Sequence, residues 1–184
     1  MIASEQRSAE GSRTIGGLAE YVAFDAKDQR RYNERGEIEL RGKTVYSDGV
    51  EEREVTDERG VRLAANEMRA TELFKSAKTK DATYHLVVAE ARGDDLTDEQ
   101  FLEVGKTCMQ RIGFGGHKWI ATVHNDTGDR HIHFAILRVH PETHKTVSPY
   151  RDHTILAEVA REYERAWGLN QTIDRSFLDG AKDG

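Results

Sequence analysis

The feature that most constrains the fold is the stretch TVHNDTGDRHIHFAILRVH at positions 122–140. It contains His124, His131 and His133 in the spacing H-x6-H-x-H. The run HIHFAIL alternates and is rich in β-branched residues, a pattern typical of a buried strand. Residues two apart in a strand point to the same face, about 7 Å from each other. His131 and His133 are therefore predicted to share one face of a sheet.

The preceding segment, HKWIATVH, also predicts a strand, and NDTGDR between the two has the residues of a tight turn. Pairing the strands as a hairpin brings His124 beside His131 and His133. A single histidine in a strand is usually a packed or solvated residue, but three converging imidazoles can hold a divalent metal with open positions left. Asp126 is placed to orient one ring through its second nitrogen.

Length and composition limit the class of protein. The chain has 184 residues, enough for one domain with its own core. No apolar run is long enough for a membrane span, and the N-terminus lacks the apolar stretch of a signal peptide. Cys108 is the single cysteine, which fits a reducing cytoplasm. The net charge of −6 argues against general affinity for nucleic acid, although a basic groove can lie on an acidic body.

A helix is predicted over residues 16–28, with Leu18 and Val22 on its buried face. Tyr21 lies at the edge of that face. A tyrosine at such a position is most often a core aromatic whose hydroxyl reaches water, so the pattern alone gives it no role. Tyr32 follows among three arginines in a polar stretch.

Residues 37–55 predict a β-hairpin, because two strand-like runs flank Asp48-Gly49. Residues 60–78 predict a helix with a basic end. The lysines there suit a helix C-terminus and could equally contact phosphate. They are Lys75, Lys78 and Lys80.

Residues 83–91 predict a strand in which His85 and Val87 share one face. We expect His85 to contribute packing or a phosphate contact and not to bind metal. His140 and His144 flank a turn containing Pro141 and are interpreted as surface residues.

Two further helices have clear boundaries. Thr97 and Gln100 form a capping box for a helix that places Cys108 in the core. The last helix is predicted to be capped by Asp152 and to end at Gly168.

The order of elements favours an α+β fold. It predicts a single antiparallel sheet with helices packed on one face and the histidines on the other, open face. The folded domain is placed at residues 15–170. Residues 1–14 are predicted to be a flexible arm and residues 171–184 a tail.

The segment HNDTGDRHIHFAILRVHPETHKTVSPYR resembles the third motif of conjugative relaxases, nucleases of the histidine–hydrophobe–histidine superfamily, and those of IncP-type plasmids above all. LAEYVAFDAKD, which contains Tyr21, is similar to their N-terminal motif with the catalytic tyrosine. KDATYHLVVAEARGDDLTDEQF and RDHTILAEVAREYERAWGL are similar to the segments before and after the metal strands. The resemblance spans residues 15–170 and implies the palm-like sheet of that superfamily.

The resemblance also implies a reaction: nicking and rejoining of one DNA strand at the transfer origin of a plasmid or integrative element. Tyr21 would attack a phosphodiester and become linked to the 5′ phosphate. His124, His131 and His133 would bind Mg²⁺ or Mn²⁺, although three imidazoles by themselves suit manganese or a later transition metal better than magnesium. Asp126 would orient a ligand or help to activate Tyr21.

The partners implied are single-stranded DNA of the origin, relaxosome accessory proteins and the coupling protein of a type IV secretion system, in the bacterial cytoplasm. No membrane insertion is expected. The residues expected to contact the DNA are Lys75, Lys78, Lys80 and Arg138.

One departure from the family pattern concerns Leu137. Relatives commonly have Asn at this place, four residues after the last histidine. Leu137 shares the histidine face by parity, so a polar group near the site is missing.

Two other functions stay open. A rolling-circle replication initiator of the same superfamily would carry its tyrosine after the histidines, near Tyr150 or Tyr163. A non-catalytic metal-binding or DNA-binding module would need no nucleophile.

Overall fold

The computed structural model describes residues 1–5, 14–125 and 128–172, which form one antiparallel sheet of six strands with four helices. The strands are β1 (Ile2–Glu5), β2 (Thr44–Ser47), β3 (Glu52–Val55), β4 (Thr83–Ala89), β5 (Trp119–His124) and β6 (His131–Leu137). The helices are α1 (Ile15–Ala23), α2 (Glu58–Glu72), α3 (Asp98–Arg111) and α4 (Asp152–Trp167). The predicted α+β class and the single antiparallel sheet are confirmed.

The histidine strand β6 lies in the interior of the sheet. The strand order is β1-β4-β6-β5-β2-β3. The predicted hairpin of β5 and β6 is present, and His124 pairs with His131 across it. On the other side β6 pairs with β4, where His133 lies opposite Val87. The flanking strands hold the histidine strand from both sides.

One face of the sheet packs against α3 and α4. This face of β6 consists of Ile132, Phe134 and Ile136, which are buried in a cluster with both helices. Gly105 of α3 allows the close approach, because a Cβ there would lie 2.1 Å from the ring of Phe134. The backbone of β6 is thus fixed from the side opposite the histidines.

The other two helices, α1 and α2, lie on the histidine face, which the sequence had indicated as open. Leu18 and Met68 of these helices form a second buried cluster with Ala135 and Leu137 of β6. An amphipathic pattern shows that a helix has a buried side, but it does not show which face of a sheet that side covers.

The N-terminus corrects part of the predicted arm. Residues 2–5 form the edge strand β1, which pairs with β4. The ammonium group of Met1 lies 2.6 Å from Oε1 of the buried Glu164 on α4. Residues 6–13 of the predicted arm, and the predicted tail from residue 173 onward, lie outside the described residues.

Of the two predicted helix starts, one is confirmed and one differs. The capping box of Thr97 and Gln100 is present at α3. At α4 the cap position is occupied by Arg151, with φ 53°, and not by Asp152. The carboxylate of Asp152 instead accepts a hydrogen bond from the hydroxyl of Tyr84 at 2.7 Å. In the described part of the chain, no helix is both long and apolar enough to cross a membrane.

Candidate active site

Three histidines converge at one end of the β5–β6 hairpin. His124 ends β5, and His131 and His133 begin β6 on the same face. Their ligand nitrogens all lie within 4.8 Å of one another. His124 and His133 are buried, whereas His131 is half-buried. The predicted convergence is therefore present, and the set of donors fits a divalent transition ion.

Each ring is oriented by a contact through its second nitrogen, as metal-binding histidines usually are. Nε2 of His124 lies 2.8 Å from the carbonyl oxygen of Val22 on α1. Nδ1 of His131 lies 3.0 Å from the carbonyl oxygen of Asp129. A ring nitrogen that donates to a carbonyl carries the proton, so the other nitrogen has the lone pair.

A fourth histidine, His85 of β4, completes the cluster. Its Nε2 lies 2.8 Å from Nδ1 of His133. When Nε2 of His133 acts as a ligand, Nδ1 carries the proton and donates a hydrogen bond to Nε2 of His85. Alternation along β4 places His85 on the correct face, but β4 and β6 are separated by α3 and β5, and no local signal shows that they pair.

Two rings of the cluster, those of His133 and His85, are neutral near neutral pH. Burial is the main cause that lowers the pKa of His133 to about 2, and the nearby His124, His85, His131 and Arg41 lower it further. Burial also lowers the pKa of His85 to about 4. A neutral imidazole offers a lone pair, so no proton has to leave His133 before a metal binds near neutral pH.

Tyr21 lies over this cluster. It is on α1, whose buried residues Leu18 and Val22 fix the helix on the sheet, as predicted. The ring of Tyr21 is 49% exposed. Its centroid lies 5.8 Å from that of His85 and 6.2 Å from that of His133, edge-to-face in both cases. One edge of the side chain of Tyr21 therefore packs on the histidines, and the rest is exposed to solvent.

Other tyrosines are placed differently. Tyr163 of α4 lies on the opposite side of the sheet, and its hydroxyl is within hydrogen-bond distance of Thr107 and Glu103. Tyr32 and Tyr150 are largely exposed, and Tyr150 contacts Arg151. No ring contact with the histidine cluster is found for these three tyrosines among the described residues.

Burial raises the pKa of Cys108 to about 12, which fits its predicted place in the core.

The residues expected to contact DNA divide into two groups. The lysines lie in the loop after α2, because this helix ends at Glu72 and not at position 78. They are Lys75, Lys78 and Lys80, all exposed. Arg138 donates instead to the carbonyl oxygens of Val147 and Asp81 and to the hydroxyl of Ser148. These bonds favour a structural role for Arg138 over the expected phosphate contact.

Two other expectations concern polar groups near the histidines. Asp126 lies outside the described residues. Leu137 shares the histidine face, as parity predicts, but it lies about 13 Å along the strand from His133. It is fully buried with α1 and α2. Leu137 is thus a core residue of the helix side, and its apolar character removes no polar group from the cluster.

Comparison with known proteins gives a consistent match. The profile of the family described as relaxase, MobA/VirD2-like, nuclease domain matches residues 32–169. This range contains the four histidines of the cluster and begins after Tyr21.

Protein TraI of Escherichia coli is 35% identical over 173 residues, which is 94% of this chain and 21% of that protein. A second Escherichia coli protein TraI is 32% identical over 105 residues, 57% of this chain and 14% of that protein. Protein MobA of Acidithiobacillus ferrooxidans is 37% identical over 73 residues, 40% of this chain and 18% of that protein. The chain thus spans about a fifth or less of the length of these relatives. It belongs to the relaxase family and carries the MobA/VirD2-like nuclease domain.

Proposed function

We propose that this chain nicks and rejoins one strand of DNA at the transfer origin of a plasmid or integrative element. The observation that carries the proposal is the place of Tyr21, edge-to-face with His85 and His133 at the exposed rim of a three-histidine cluster. A nucleophile must be held near its target for proximity to lower the barrier, and α1 is anchored for this purpose by its buried side.

In the proposed reaction, one bond to phosphorus forms while another breaks. The hydroxyl oxygen of Tyr21 loses its proton and forms a bond to the scissile phosphorus, while the bond from phosphorus to the 3′ oxygen breaks. The 3′ oxygen takes up a proton and leaves as a hydroxyl, and the 5′ phosphate stays on Tyr21. Reversal of these steps reseals the strand, because the phosphotyrosine retains the bond energy.

The histidines and the nearby side chain of Arg41 have separate proposed roles. His124, His131 and His133 would hold a divalent ion, Mg²⁺ or Mn²⁺, which would supply Lewis-acid stabilisation of charge on the phosphate. His85 positions His133 through its ring nitrogen. Arg41 adds positive charge beside the cluster, and this charge contributes to the lowered pKa of His133. Asp126 keeps its proposed role in orienting a ligand or activating Tyr21.

Binding of the substrate is assigned to the lysines after α2, Lys75, Lys78 and Lys80, and not to Arg138. The partners proposed with this function are single-stranded DNA of the origin, relaxosome accessory proteins and a type IV secretion coupling protein. The proposed location is the bacterial cytoplasm.

The rolling-circle alternative is less well supported. It needs a nucleophile after the histidines, and Tyr163 lies on the side of the sheet that faces away from them. Tyr150 lies in the segment before α4 and is exposed.

The test is incubation with single-stranded origin oligonucleotides of the same replicon, with Mg²⁺ or Mn²⁺. A relaxase gives a covalent DNA–protein adduct, and digestion followed by mass spectrometry should find the modified peptide around Tyr21. Adduct on Tyr150 or Tyr163 would favour the replication initiator. A chain that binds DNA or metal without forming any adduct would be a binding module.

A further inference from the structure

The loop after α2, which contains Phe74 and Thr79, meets the turn after β6, which contains His144 and Thr146. Together they form one surface outside the histidine cluster. The ring of Phe74, just after α2, stacks on the imidazole of His144, with centroids 4.0 Å apart and planes 4° apart. The hydroxyl of Thr79 donates to that of Thr146 at 3.2 Å. The stack and this bond hold the two loops together, although they are distant in sequence.

The stacked rings are open to solvent. Phe74 is 59% exposed, and His144 is also exposed. His144 has φ 56°, a conformation that histidine adopts more readily than most residues other than glycine and that fixes this turn. The two rings cover one face of each other, so the outer faces can receive another planar ring.

Four lysines and three carboxylates surround the stacked pair. The exposed lysines on the two loops are Lys75, Lys78, Lys80 and Lys145. The carboxylates beside them are Glu72, which lies 3.4 Å from Lys75, and the exposed Glu142. Asp81 accepts from the backbone and hydroxyl of Thr83. Because Glu72 pairs with Lys75 and Asp81 is bonded to Thr83, the lysines left to meet a phosphate are Lys78, Lys80 and Lys145.

A groove lies between the loop after α2 and the start of α1. Its volume is about 540 Å³, and its lining includes Leu73, Lys75 and Thr79 of that loop and Thr14 before α1. Thr14 is the N-cap of α1, and Tyr21 follows about 10 Å further along the helix axis. The groove therefore runs from the loop that carries Phe74 to the start of the helix that carries the candidate nucleophile.

We propose that Phe74 and His144 form a platform on which bases of single-stranded DNA stack, with Lys78, Lys80 and Lys145 at the phosphates. The proposal rests on the proposed function, which supplies the single-stranded substrate. Every base has a π-face, so the platform adds affinity with little sequence preference. The site lies away from the histidines and acts in binding, not in the chemical step.

The experiment measures binding without cleavage. A fluorescein-labelled oligothymidylate is titrated with the full chain in the presence of a chelator, and anisotropy gives Kd. Phe74→Ala and His144→Asn remove one ring each, and asparagine tolerates the backbone conformation of His144. Each is expected to raise Kd at least about fivefold, whereas Phe74→Trp keeps a stacking ring and wild-type affinity. Leu63→Ala is the matched control, because Leu63 is an apolar residue of α2 with the same 59% exposure.

The outcomes separate the platform from the proposed function. If Phe74→Ala and His144→Asn bind the oligothymidylate as tightly as wild type, while wild type forms an adduct with origin DNA, the platform is refuted and the nicking function stands. If wild type neither binds the oligothymidylate nor forms an adduct, both are refuted. A loss of affinity in Leu63→Ala equal to that in Phe74→Ala would also overturn the platform, because removal of the ring would not be its cause.

Discussion

His85 and His133 are joined by a contact of 2.8 Å between Nε2 of His85 and Nδ1 of His133. Both rings are buried, and they lie on the neighbouring strands β4 and β6. The contact uses Nδ1 of His133 and leaves Nε2 as the nitrogen that could hold a metal. It therefore fixes the rotation of this ring, and when Nδ1 donates to His85, Nε2 has the lone pair that a metal needs.

The first prediction concerns this contact. His85→Ala should weaken binding of Mn²⁺ about 10- to 100-fold, because His133 loses the group that orients it. Isothermal titration calorimetry measures the affinity, and circular dichroism checks that the variant is folded. His153→Ala, at an exposed histidine of α4, serves as the control and should bind like wild type. Wild-type affinity in His85→Ala would show that the contact does not position His133.

A second prediction separates the ligands from other histidines. His131→Ala and His133→Ala should each lose most of the affinity for Mn²⁺, because each removes one of three ligand nitrogens. His140→Ala and His144→Ala should keep it, since their rings lie in the turn after β6. The same titration measures all four variants. An equal loss at His140 would refute the assignment of ligands.

The third prediction follows from the lowered pKa values of His85 and His133. Each ring is neutral in the folded chain, whereas in the unfolded chain it takes up a proton below about pH 6.5. Acid therefore favours the unfolded state. The free energy of unfolding of the metal-free chain should be highest above about pH 6.5 and fall by a few kcal/mol toward about pH 4.

Urea unfolding at a series of pH values, with a chelator present, tests this prediction. His85→Gln removes one of the two groups and should make the fall smaller. A stability that is constant between about pH 6.5 and about pH 4 would contradict the buried, neutral state of His85 and His133.

The fourth prediction compares two glutamates of α4. Glu164 is 3% exposed and pairs with the buried ammonium group of Met1. Glu164→Ala leaves that charge without its carboxylate, so we expect a loss of about 3–5 kcal/mol in the free energy of unfolding. Glu162 pairs with Arg111 at the surface, and both side chains are more than 40% exposed. Glu162→Ala should therefore cost at most about 1 kcal/mol in urea unfolding. Similar losses in the two variants would contradict the buried pairing.

The parts of the fold that were predicted correctly depend on residues close together in the sequence. The hairpin of β5 and β6 follows from the alternation and the turn residues, and the start of α3 follows from Thr97 and Gln100. The convergence of His124 with His131 and His133 is of this kind, because one turn separates the two strands. Parity along a strand also gave the correct face for Leu137.

The parts that were missed depend on contacts between distant segments. The pairing of β4 with β6 brings His85 to His133, and no turn or spacing encodes it. Residues 2–5 are too few and too mixed to predict a strand, and they form one because the edge of β4 is available. The hydrogen bonds of Arg138 were likewise not predictable, since their acceptors at Asp81 and Val147 lie in two separate loops.

The place of Tyr21 over the histidine cluster is the central claim, and a matched pair of variants tests it. Tyr21→Phe and Tyr32→Phe each remove one hydroxyl from an exposed tyrosine. Loss of a neutral hydroxyl costs about 1 kcal/mol of hydrogen bonding, so neither variant should change the affinity for single-stranded DNA by more than a few-fold.

The decisive measurement is the yield of covalent adduct on a labelled origin oligonucleotide, resolved on a denaturing gel with Mn²⁺ present. We predict no adduct with Tyr21→Phe and an adduct at the wild-type level with Tyr32→Phe, while both variants bind the same DNA. An adduct that persists in Tyr21→Phe and disappears in Tyr32→Phe would contradict the account, because the nucleophile would then lie off α1.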